Sequence, residues 1–142
     1  MFFIVFHFAD TIQGTQVRAY QAAIDSYGKR SDWQIAYDID EYPYSSVDQK
    51  RGFLRRKVWE LSSTEADVSE LSLQNFVFLG KTCWGEERVI ERLLRRTPIK
   101  ANHLDKPIYR PMHATAAVHH NSLHTGHSKD VDPIQLRTNH YW

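Results

Sequence analysis

The sequence predicts an α/β domain: a mixed sheet flanked by helices. Three observations carry that prediction. Short runs rich in β-branched and aromatic residues (1–8, 33–37 and 71–79) alternate with stretches whose apolar residues recur at helical spacing. The first three such segments read strand, helix, strand, which is a βαβ unit. The chain is 142 residues long with one quarter of them charged, enough for one core and one domain spanning 1–142.

Residues 1–8 are apolar but too few to span a bilayer, and they lack the basic flank and cleavage site of a signal peptide. They are expected to form a strand, followed by a polar connection over 10–14. From Thr15, the spacing of Val17, Tyr20, Ile24 and Tyr27 predicts a helix that stops at Gly28. The strand over 33–37 leads to Asp38-Ile39-Asp40-Glu41 and is expected to stop at Pro43. A strand turns residues i and i+2 to one face, so Asp38 and Asp40 should point together, opposite Tyr37 and Ile39. Two carboxylates side by side repel unless a cation lies between them, and all-oxygen ligands favour a hard one, Mg²⁺ or Mn²⁺.

A second helix is expected from Ser45 or Ser46, with Asp48 at its start. Val47, Leu54, Val58 and Leu61 should be buried, and Lys50, Arg51, Arg55 and Arg56 should face outward. Residues 62–69 read as a loop, 71–79 as a strand closed by Gly80, and 86–96 as a helix with acids first and arginines last. Short strands are expected around 108–109 and 114–118, then a Gly- and His-containing loop and a break at 131–133. The net charge of +1 offers no broad attraction for nucleic acid or an anionic membrane, and Cys83 alone excludes an internal disulfide. Seven of the eight histidines lie between His103 and His140, which makes the C-terminal third prone to bind metal and sensitive to pH.

Six stretches occur in a telling order. Gln16 to Tyr20 precedes Trp33 to Tyr42 with its Asp38-Ile39-Asp40-Glu41 motif. Then come Phe78-Leu79-Gly80 with Glu91-Arg92, Lys106-Pro107-Ile108-Tyr109-Arg110-Pro111, Val118-His119-His120 and a closing Asn139-His140-Tyr141. In this order the chain, from about Thr15 onward, resembles the C-terminal part of a family 92 or family 2-like glycosyltransferase catalytic domain. The resemblance implies a GT-A-like (nucleotide-diphospho-sugar transferase) fold, shortened at its N-terminal nucleotide-binding half. It implies a metal-dependent enzyme moving a sugar from a UDP-sugar, such as UDP-galactose, to a glycan acceptor.

By the same resemblance Asp38, Asp40 and His140 hold Mn²⁺ or Mg²⁺, with Asp40 the more direct ligand. Asp38 and Arg110 meet the donor's diphosphate, and His119 (or its neighbour His120) touches metal, diphosphate or sugar. An inverting transfer needs a carboxylate to take the acceptor's proton. Glu86, Glu87 and Glu91 are the candidates, of which Glu91 is carried forward; Trp84 could stack on an acceptor sugar. Two other classes compete. One is a metal-dependent hydrolase or nuclease using the same Asp and His residues. The other is a non-catalytic module keeping half a transferase fold, whose unpaired sheet edge would favour homo-oligomers.

Overall fold

A computed structural model of the chain describes residues 15–38, 40–79, 95–96, 102–116 and 121–141. It is a mixed α/β arrangement. Among the described residues, helix α1 (Thr15–Tyr27) and helix α2 (Phe53–Ser62) accompany nine strands: β1 (Gln34–Ile35), β2 (Glu41–Tyr44), β3 (Val68–Leu79), β4 (Arg95–Arg96), β5 (Asn102–Tyr109), β6 (Ala114–Thr115), β7 (Ser122–Leu123), β8 (His127–Asp130) and β9 (Arg137–Tyr141). Seven strands form one sheet in the order β1-β5-β3-β9-β2, with β4 and β8 also on β3; β6 and β7 make a separate pair.

β3 is the axis of the sheet. One edge pairs antiparallel with β5 and then β4, and the other pairs parallel with β8 and then β9. Its side chains alternate across the two faces. Leu71 and Leu73 join Ile35, Ile108, Val131 and Leu136 in a core closed by Leu54 and Val58 of α2. Tyr109, the strand neighbour of Ile108, turns to the opposite face and packs with Tyr20 and Ile24 of α1. The two helices therefore cover opposite faces. Burial of each large aliphatic side chain in such a core stabilises the fold by about 1.5–3 kcal/mol.

The α1 expectation holds: the helix starts at Thr15, buries Tyr20 and Ile24, and gives way at Gly28 to a 3-10 turn. A Cβ on Gly28 would lie 3.3 Å from that of Pro111, so the glycine lets these two turns approach. The strand expected over 33–37 is shorter, Gln34–Ile35, and this stretch is buried, with Trp33, Ile35 and Tyr37 in the α2 core and Ala36 against the other cluster.

Several expectations are corrected. The second helix begins at Phe53 rather than Ser45 or Ser46. Ser45 Oγ does accept the N–H groups of Val47 and Asp48, as a cap would. The chain then turns through Gly52, at φ 79°, before the helix proper, and Val47 stays exposed. Pro43 does not stop a strand but sits inside β2, opposite Thr138. Among the described residues β2 lies at the edge of the sheet, where a residue with no N–H to give is tolerated.

The central strand starts three residues early, at Val68, and the strand around 108–109 runs back to Asn102. Part of the Gly- and His-containing loop is the parallel strand β8. Arg95 and Arg96, expected to close a helix, pair with Leu79 and Phe78 as β4. The strand over 1–8, and with it the βαβ unit, lies outside the described residues, as does the rest of the helix expected over 86–96.

Candidate functional site

The acidic motif occupies a turn between β1 and β2, not the end of one continuous strand. The Glu41 N–H donates to the Asp38 carbonyl at 3.0 Å, and the Asp38 N–H donates to Glu41 Oε2 at 3.2 Å. This bend places three carboxylates within reach of residues far along the chain. Lys106 of β5 sets its Nζ 2.9 Å from Asp38 Oδ2 and 3.0 Å from Glu41 Oε2. Asn75 of β3 donates to Glu41 Oε1 at 3.0 Å. His140 of β9 pairs in register with Glu41, and its Nε2 lies 3.1 Å from Asp40 Oδ2. The Tyr141 N–H fixes the same turn by donating to the Asp40 carbonyl at 2.8 Å.

The electrostatics follow from depth. The side chains of Lys106 and Glu41 are 3% and 1% exposed, whereas that of Asp38 is 44% exposed. The buried pair is therefore Lys106–Glu41, with Asp38 capping it from the water side. Burial disfavours the Lys106 ammonium, but the Glu41 and Asp38 carboxylates outweigh burial and hold its pKa above the ordinary lysine value. α1 closes this side: burial raises the pKa of the Tyr20 phenol, which accepts a bond from Gln16 and senses Lys106, Asp38 and Glu41. Burial also raises the Tyr37 phenol on the opposite face.

The structure thus sets Asp40 beside His140, while Asp38, in the same turn, is bonded to Lys106. It adds Glu41, Lys106 and Asn75, which carried no role in the sequence reading. Lys106 offered a signal: a lysine beside the buried run Pro107-Ile108-Tyr109 needs a carboxylate partner. Arg110 is not part of this cluster. It follows β5 four residues beyond Lys106, about 13 Å farther along at ~3.3 Å per residue. Its Nε donates to the Val68 carbonyl at 3.1 Å, and its guanidinium lies 4.5 Å from the centre of the Trp33 ring. Asn139 turns away from the cluster and accepts a bond from Arg137 Nε. Glu91, His119, His120, Glu86, Glu87 and Trp84 lie outside the described residues.

The donor set fits a divalent cation in part. Asp40 and His140 present an oxygen and an imidazole nitrogen to one another, and both side chains reach solvent. Asp38 has one oxygen committed to Lys106, so a cation there would compete with the ammonium. Among the described residues no group of three or more His, Cys, Asp or Glu is arranged to hold a metal ion. No helix among them is long and apolar enough to cross a membrane. No protein-family model matches the chain, and no curated protein sequence matches it either.

Proposed function

We propose that this chain is a GT-A-like, metal-dependent glycosyltransferase domain that transfers a sugar from a UDP-sugar, UDP-galactose among them, to a glycan acceptor. The single observation that supports the reading is the meeting of Asp40 with His140, 100 residues apart in the chain, at 3.1 Å. A carboxylate and an imidazole at hydrogen-bonding distance, half open to water, form a pair that can accept Mn²⁺ or Mg²⁺ beside a diphosphate. When bound, the metal supplies Lewis-acid neutralisation of the charge that develops on the departing nucleotide diphosphate.

The chain's own residues do the rest. Lys106 and Asn75 fix Glu41, and Glu41 in turn fixes the turn that aims Asp40 outward. Asp38 stands at the rim, between Lys106 and the place the diphosphate would occupy. Glu91 is the candidate to take the acceptor's proton, Arg110 a candidate for the phosphates, and His119 one for metal, diphosphate or sugar. Arg110 fits this site least, because it lies just beyond β5, four residues past Lys106.

Calorimetric titration of UDP-galactose and UDP into the full chain, with and without Mn²⁺, tests the reading. Binding should require Mn²⁺ and disappear in both Asp40→Ala and His140→Ala. A folded chain that binds neither ligand in the presence of Mn²⁺ would end the proposal.

A further inference from the structure

A second site lies at the Arg110 end of the sheet. A cavity of about 730 Å³ opens between one face of α2 and the residues just before β1, within the ~300–1,000 Å³ range of small-molecule sites. Its walls carry Arg55, Arg110, Trp33, Trp59, Asp32 and Ser63. Arg56 also borders it, but that guanidinium is held by Asp48 through two bonds of 2.9 Å.

The other two arginines are not spent in this way. Arg110 uses Nε on the Val68 carbonyl and rests on Trp33, with no carboxylate paired to it among the described residues. Arg55 forms no ion pair among them either. Two guanidinium groups with donors to spare face one cavity, and the planar fork of each suits a carboxylate or sulfate.

The remaining walls narrow the ligand further. Trp59 leaves 74% of its surface in water, although an indole gains most from being covered by a flat, weakly polar face. Beside it the end of α2 supplies acceptors, not donors. The Trp59 carbonyl gathers the N–H and hydroxyl of Ser63 and the hydroxyl of Ser62, and Asp32 adds an exposed carboxylate. A bare anion would be repelled by that rim, whereas hydroxyl groups would donate to it. The ligand therefore needs an oxyanion, a ring face and several hydroxyls in one small body.

From this combination we infer that the cavity is a binding site for an acidic sugar, its carboxylate or sulfate held by Arg55 and Arg110 and its ring against Trp59. The inference does not rest on the transferase reading. It needs no metal, and none of its residues belongs to the Asp40–His140 cluster.

The test is titration of the full chain, without metal, with digalacturonate, a sulfated disaccharide, maltose, UDP and inorganic sulfate. At least one acidic disaccharide should bind tenfold or more tightly than maltose, and binding should weaken as salt is raised. The disaccharide that binds identifies the oxyanion as carboxylate or sulfate. Arg55→Gln and Trp59→Ala should each weaken binding at least fivefold while leaving the thermal midpoint in place, since both side chains face solvent. Equal binding of maltose, equal or tighter binding of sulfate or UDP, or indifference to both substitutions would overturn the inference.

Discussion

Lys106 and Arg110 stand four residues apart at one end of β5, yet the fold treats their charges in opposite ways. Lys106 is buried and has two carboxylates within 3.0 Å. Arg110 is half-buried and rests on an indole and one carbonyl, with no carboxylate at hand among the described residues. Depth accounts for the difference. An interior ammonium is tolerable only with its counter-charges in place, while a cation at the rim keeps enough water to stand without one. The pairing at Lys106 shapes a turn that presents other residues; the unspent charge at Arg110 is itself presented.

Three measurements would break or sharpen this contrast. The largest effect belongs to Lys106→Met, which strands the buried Glu41 carboxylate. Urea unfolding should show a loss of about 3–5 kcal/mol. Adding Glu41→Gln should restore a large part of it, because the amide can still accept from Asn75. A double variant no better than the single one would mean that Lys106 acts by packing and not by charge.

The second measurement concerns Tyr109, which lies between the two cations. Burial pushes its pKa up to about 12, so in the unfolded chain the phenol ionises first, near pH 10. The unfolded state then binds fewer protons, and stability should fall as pH rises from about 10 to 12, by up to ~1.4 kcal/mol per pH unit. Tyr109→Phe should flatten that fall; an unchanged slope would assign it to Tyr20 and Tyr37, whose phenols burial also raises. The smallest effect is expected for Arg110→Met, about 1–2 kcal/mol for the lost carbonyl bond and ring contact, read by the same unfolding experiment. A loss as large as that of Lys106→Met would mean that the two cations are equally structural.

What could be read in the sequence divides along similar lines. Local pattern is enough for α1, for the Leu54–Val58 stripe of α2 and for the short buried strand at 34–35, because each depends on neighbours a few residues away. β8 was not legible: His127-Ser128-Lys129-Asp130 has no apolar residue and is a strand only because its backbone completes the edge of β3. β5 was half legible, since polar residues and Pro107 mask its length. In the candidate site, an ordered set of motifs marks Asp40 and His140 in the sequence. The Lys106–Glu41 pair is not marked, because a single sequence carries no register between strands 65 residues distant.

The strand order has a consequence for how this molecule assembles. β9 follows every other described strand in the chain, yet it lies between β3 and β2. Among the described residues β2 pairs with β9 alone, so there it waits for a partner a hundred residues downstream. Closing so long a loop before any contact rewards it makes this step slow compared with the formation of α1 or α2. Asp40 and His140 meet across that same seam. The pair on which the proposed chemistry turns is therefore among the last contacts to form during folding, and the β2–β9 seam is where partial opening would first show in hydrogen exchange.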